Sequence, residues 1–346
     1  MSIEIIKSNI NIDFVGKRKF AYSFSGVLLL LSILSLVVRG PNYGVDFAGG
    51  SIVQVKFASE VAIDKIRDGL RATGIEDVSV QSMGDVKDHE FLIRTDQMEA
   101  CQDFTSRLSQ NLEAAAGVGV EIRRLEMVGP QVGSDLKEKA LLAILFSLLL
   151  TAVYISGRFE FKWHQSAIIA AILGGAVYAL YTFNVPMQYI IPAALIVTIV
   201  LFWVFGLKFA LGGIVALIHD VTISAGVLSL LGKEFTITVI AALLTIIGYS
   251  LNDTIIVYDR IRENIRKLSK TPLGVVINRS VNETLSRTIM TQGLTLVMVV
   301  ALFLLGGEII HDFALALLVG FAVGTYSSIY VASPIVLTWE ERARKR

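Results

Sequence analysis

Apolar runs long enough to cross a bilayer recur along this chain, and they restrict its fold more than any other feature. They lie at roughly 20–38, 138–156, 166–183, 188–207, 209–231, 235–258, 287–306 and 312–337. A membrane-spanning helix needs about 20 apolar residues, so the runs amount to eight candidate crossings. With 54% of its residues hydrophobic, the chain reads as an α-helical polytopic membrane protein. A net charge of +1 supplies no basic field for nucleic acid. The single Cys101 excludes an internal disulfide framework, and the four histidines fall in no HExxH or HxH pattern. No metal or cofactor is expected from such a set.

The first run follows Lys17, Arg18 and Lys19, which gives it the outline of a signal peptide. It is longer than an ordinary signal core, and Val38 to Pro41 make a poor cleavage site, so an uncleaved first span is expected. Basic residues then alternate between connectors. Lys7 and Lys17 to Lys19 precede the first span, and Arg158 and Lys162 follow the second. Lys208 lies before the fifth, and Arg260, Arg262, Arg266, Lys267, Lys270 and Arg279 fill a long polar connector. Arg342, Arg344, Lys345 and Arg346 end the chain. Connectors 184–188, 232–234 and 306–312 are poor in positive charge. The positive-inside rule places both termini in the cytoplasm. The soluble stretch then lies outside, which is the periplasm in a Gram-negative cell. Eight spans or six satisfy this arrangement, and seven do not. The interval from Leu207 to Leu211 is short, which requires a tight hairpin or an irregular span.

Residues 41–136 have soluble composition. The run Val45 to Phe57 ends in strand-like alternation, and Glu60 to Thr73 has helical spacing with Gly74 as its stop. Val78 to Ser82 and Glu90 to Thr95 read as strands joined by a turn containing Gly84, Asp85 and Asp88. Met98 to Ala116 reads as a helix and Val118 to Val128 as a last strand. The order β-α-β-β-α-β is the ferredoxin-like pattern of an α+β domain, and it names no chemistry. The expected divisions are 1–40 (N-terminus and first span), 41–136 (soluble domain), 137–341 (transmembrane bundle) and 342–346 (basic tail). Gly174-Gly175, Gly212-Gly213 and Gly320 with Gly324 mark close helix approaches.

Two aspartates interrupt the apolar runs. Asp220 sits about eleven residues into its span, near mid-membrane at 1.5 Å per residue. Asp253 is placed nearer the cytoplasmic end of the next span, at a depth similar to that of Arg287. An intramembrane carboxylate costs about 2.5–3.5 kcal/mol on insertion scales. An Asp253–Arg287 ion pair is therefore expected. Carboxylates that gain and lose a nearby cation change proton affinity, so the three charges suit a proton relay. One charge crossing 100 mV is worth about 2.3 kcal/mol. His219 adjoins Asp220 but is offset by about 100° on a helix, and is expected to pack or face a pore, as a possible accessory group. Asp259 and Arg260 are expected at the water boundary. An intramembrane aspartyl protease would need two carboxylates at one depth flanking a water. The two acids are read here at different depths.

Several segments resemble the SecF subunits of the SecD/SecF family closely. They are GVDFAGGS (Gly44 to Ser51), VGPQVG (Val128 to Gly133), ALIHD (Ala216 to Asp220), TIIGYSLNDTIIVYDRIREN (Thr245 to Asn264), LSRTIMTQ (Leu285 to Gln292) and SSIYVASPI (Ser327 to Ile335). The resemblance implies a non-enzymatic subunit of the RND superfamily with a six-span core and one periplasmic domain. Such a subunit uses the proton gradient, together with SecD, to promote late translocation of preproteins through SecYEG; YajC and YidC are further implied associates. The family's intramembrane charges fall on Asp253 and Arg287, with Asp220 a further embedded position. Its motif where the chain enters the soluble domain falls on Asp46, Gly49 and Gly50. The alternative is an RND-type proton-coupled exporter of lipids or small molecules, which would normally need two six-span halves. One departure stands out. In the family, a segment like RFEW leads almost directly into FALGAIVALIHD. Here RFEFKW (Arg158 to Trp163) and KFALGGIVALIHD (Lys208 to Asp220) are separated by residues 164–207, which hold two extra apolar runs.

Overall fold

The computed structural model describes residues 10–75, 78–83, 88–95 and 102–343. The chain order is α1 (Arg18–Val38), β1 (Asn42–Tyr43), α2 (Val45–Ala48), β2 (Gly50–Phe57), α3 (Ile63–Ala72), β3 (Val78–Met83), β4 (Glu90–Thr95), α4 (Gln102–Ala116) and β5 (Val120–Val128). It continues through α5 (Pro130–Glu160), α6 (Trp163–Thr182), α7 (Met187–Val204), α8 (Lys208–Leu230), β6 (Glu234–Phe235), α9 (Ile237–Lys267), α10 (Leu273–Leu305), α11 (Gly307–Ser327), a π-helical turn (Ser328–Ala332) and α12 (Ser333–Ala343). The expected turn at Gly84 and Asp85, residues 98–101 including Cys101, and the last residues of the basic tail lie outside the described residues.

Among the described residues, seven helices are long and apolar enough to cross a membrane: α1, α5, α6, α8, α9, α10 and the continuous Ile310–Ala343. The protein is a multi-pass membrane protein. Eight such helices were expected, and α7 is the one that falls short, its apolar stretch running from Tyr189 to Val204. Its 18 residues rise about 27 Å, against a hydrocarbon core of about 30 Å. Pro192 also removes one of its internal hydrogen bonds.

Two sharp turns bracket the α6–α7 pair. Phe161 takes φ +56° between α5 and α6, and Trp163 then lies over Gly157, where a Cβ would stand 2.0 Å from its ring. Gly206, at φ +68°, turns α7 into α8. The short interval at Leu207 is thus a tight hairpin.

The segment between α1 and α5 forms a four-stranded antiparallel sheet in the order β3-β4-β2-β5. Along β2 every second side chain is buried. Val53, Val55 and Phe57 meet Ile66 and Leu70 of α3 and Leu108 and Leu112 of α4 in one apolar core. Helix α3 begins at Ile63, later than the pattern suggests, and ends beside Gly74 at φ +89°. The run from Val45 divides into α2 and β2, because Gly49 and Gly50 hold positive φ between them.

Helix α8 occupies the middle of the bundle, with 72% of its apolar window buried. Ala210, Leu211, Ile214, Ala216 and Leu217 line its core. Of the glycines expected at close approaches, Gly212, Gly213, Gly320 and Gly324 sit at them, whereas a Cβ on Gly175 would meet nothing within 4 Å; Gly226 is a further approach that was not expected. A Cβ on Gly226 would stand 2.3 Å from Ser32 of α1, and one on Gly320 would stand 2.2 Å from Ile246 of α9.

Candidate functional site

Asp220 is 0% exposed. Its Oδ2 accepts from Ser250 Oγ on α9 at 2.5 Å and from Ser327 Oγ at the end of α11 at 2.7 Å. Oδ1 lies 2.9 Å from Nδ1 of His219. The helical offset expected to part these neighbours is overcome by side-chain rotation, and the two form a contact. The His219 ring stacks on Tyr326 at 6.1 Å, its Nε2 buried and without a hydrogen-bond partner. Gly324 makes room for the cluster, since its Cβ would lie 3.1 Å from Cβ of Ser250 and 3.6 Å from Asp220 Oδ2. The π-turn follows Ser327 directly. Such turns leave the regular ladder locally open, and here Ser333 Oγ reaches back to the Ser328 carbonyl at 2.9 Å.

Asp253 is 2% exposed and accepts from Nε2 of Gln292 on α10. The ion pair expected with Arg287 is not formed: among the described residues no cation stands within 4.0 Å of Asp253, and Arg287 is exposed. Helix geometry gives the reason. Gln292 and Arg287 are five residues apart, about 140° around α10, so the residue that turns inward carries the other outward. The depths also differ from expectation. Ser250 is level with Asp220, and Asp253 follows it by three residues, about 4.5 Å along α9. The two acids therefore lie within one helical turn of each other.

The remaining predicted residues take other places. Asp259 pairs with Arg158 at 2.7 Å, and Arg260 with Glu283 at 2.6 Å and Glu263 at 2.7 Å, in a charged network at the ends of α5, α9 and α10. Asp46 Oδ2 accepts from the Ile237 amide at 2.9 Å and so caps the start of α9 beside Thr236. Gly49 and Gly133 bring α2 against the start of α5: their Cβ atoms would stand 2.9 Å from Pro130 Cα and 2.8 Å from the Phe47 carbonyl. Gly50, at φ +130°, opens β2. These three joints tie the soluble segment to two spans. Beta pairing of Asn42 with Glu234 and Tyr43 with Phe235 adds a fourth, and the Arg94–Glu234 ion pair at 2.6 Å a fifth.

Sequence reasoning passed over Ser250, Ser327 and Gln292 as site residues, and it marked Gly324 as a close helix approach without linking it to Asp220. The available signals were Ser250 within one turn of Asp253, Gln292 at the end of LSRTIMTQ and Ser327 at the start of SSIYVASPI.

Comparison with known proteins identifies the family. The family described as "Protein export membrane protein SecD/SecF, C-terminal" matches residues 108–190 and 182–342, and the SecD/SecF GG motif matches 34–61. The Protein translocase subunit SecF of Magnetococcus marinus is 40% identical over 339 residues, covering 96% of this chain and 94% of that one. That of Vibrio alginolyticus is 38% identical over 334 residues, covering 96% and 91%. The crystal structure of SecDF from Thermus thermophilus superposes with a TM-score of 0.74 at 33% identity, covering 98% of this chain but 40% of that longer one. With family motifs on both acid-bearing helices and matches along nearly its whole length, the chain belongs to the SecD/SecF family of protein-export membrane proteins.

Proposed function

We propose that this chain is the proton-coupled half of a Sec export motor. It pairs with a SecD-type partner in the bacterial inner membrane and draws preproteins outward as they leave SecYEG. Both termini are cytoplasmic. Eight crossings, six core spans and the α6–α7 pair, satisfy the charge distribution, and α7 spans by locally thinning the bilayer. The soluble segment is a periplasmic ferredoxin-like domain, a reading supported by its antiparallel order β3-β4-β2-β5.

One observation carries the proposal. Asp220 and Asp253 are buried within a turn of each other and held by hydroxyl, imidazole and amide groups, with no guanidinium or ammonium of the described residues in contact. A carboxylate locked to a cation stays ionised, whereas one held by neutral donors can take up and release a proton. Arg287, free of such a lock and facing outward, is placed to approach Asp253 in one state and leave it in another. Each proton crossing 100 mV supplies about 2.3 kcal/mol to bias that change.

The test is export into inverted membrane vesicles with and without a proton gradient. Asp253→Asn and Arg287→Ala should remove the gradient-dependent increment while the SecA-driven part remains. An unchanged increment in well-inserted Asp253→Asn would overturn the reading.

A further inference from the structure

A file of hydroxyls leads away from Asp220 along one face of α9. Ser250, Thr254 and Tyr258 are spaced i, i+4, i+8 and share that face; they are 2%, 1% and 0% exposed. Ser250 donates to Asp220. Thr254 Oγ1 is buried without a hydrogen-bond partner, a condition that costs about 1–3 kcal/mol. The Tyr258 hydroxyl donates to the Ala332 carbonyl in the π-turn over 3.2 Å, a long bond for a hydroxyl. Gly212 of α8 leaves space for it: a Cβ there would lie 2.3 Å from that hydroxyl and 2.8 Å from the carbonyl. Phe159 and Phe209 wall the ring at 5.5 and 5.1 Å.

Beyond Tyr258, and close enough for its charge to act on that hydroxyl, stands Glu160, the last residue of α5. One of its oxygens accepts from the Phe209 amide at 2.8 Å. The other is buried without a hydrogen bond of good geometry, with the Ser156 hydroxyl beside the carboxylate. Lys162 and Lys208 carry the positive charge nearest to it, and Lys208 is itself paired with Glu340 at 2.7 Å. Capping Phe209 needs one neutral acceptor. That bond does not itself call for an ionisable group.

We infer that Ser250, Thr254 and Tyr258 form a hydroxyl wire that passes protons from Asp220 to Glu160, with Glu160 the last carrier before cytoplasmic water. This rests on the proton-coupled reading above. The wire covers about 12 Å from Ser250 to Tyr258. Side chains at i, i+4 stand about 6 Å apart, so each step takes one bridging water, at an ordering cost of at most about 2 kcal/mol. In each hop one O–H bond breaks on the donor and one forms on a lone pair of the acceptor. Asp220 is left as carboxylate, and each hydroxyl regains the proton it gave. Glu160 becomes the acid and then loses its proton to water. Tyr258 gives up only its long bond to Ala332 as it turns.

Proton uptake into proteoliposomes holding the full chain with its SecD-type partner tests the wire, read by trapped pyranine under an imposed gradient. Glu160→Gln keeps an acceptor for Phe209 and should slow uptake about a hundredfold, as loss of a positioned proton-transfer group does. Glu160→Asp should recover most of the rate, which a purely structural cap would not require. Tyr258→Phe and Thr254→Val should slow uptake similarly. Wild-type uptake in Glu160→Gln or Thr254→Val, with Asp253→Asn blocked, overturns the wire alone. Wild-type uptake in Asp253→Asn overturns the proton-coupled reading beneath it. If Glu160→Gln fails to assemble, near-isosteric Thr254→Val decides.

Discussion

Asp220 draws its partners from three helices: His219 beside it on α8, Ser250 on α9 and Ser327 at the end of α11. Each serine therefore fastens a helix to the same carboxylate. Ser250→Ala or Ser327→Ala should each cost about 1–3 kcal/mol, the usual penalty for removing one partner of a buried polar group. Thermal unfolding of the purified protein, followed by fluorescence-detected gel filtration, measures it. The double variant should lose more than the sum, because each serine covers for the other on one oxygen. Asp253 depends on one amide instead. Gln292→Leu should leave that carboxylate buried without its donor and lower the melting point further than either serine change.

The elements of the soluble segment were legible because their periodicity is local. Val78 to Ser82 and Glu90 to Thr95 coincide with β3 and β4 almost residue for residue. The spans were legible from apolar length, and α7 comes out shorter than its run because apolar composition does not reveal that the helix stops at Val204, ahead of the turn at Gly206. The contacts between elements were not legible. Nothing in the spacing of Arg287 and Gln292 says which of them faces Asp253; packing of α10 against α9 decides it. The glycine motif was readable as a family mark, yet its work is architectural. Gly49 combines φ +83° with backbone contact to Pro130, so Gly49→Ala should cost about 1–3 kcal/mol of local strain. Limited proteolysis should then release the soluble segment from α5 sooner than in the wild type.

For the whole molecule, the bond from the Phe209 amide to Glu160 joins the two ends of the α6–α7 pair at 2.8 Å. The family match also breaks into two stretches that meet within this pair, at 182–190. Joining Trp163 directly to Lys208 should therefore leave the other crossings inserted in their original sense. Cysteine accessibility on either side of the membrane checks this, and inversion of α8 would refute it. Arg287 bears on the molecule's life in the cell. On the proposed pairing with a SecD-type partner, a guanidinium exposed on the side of a membrane helix is costly in lipid unless that partner covers it. Copies synthesised in excess of that partner would keep the charge uncovered and form the less stable fraction. The amount of this protein would then be set by its partner's supply more than by its own rate of synthesis.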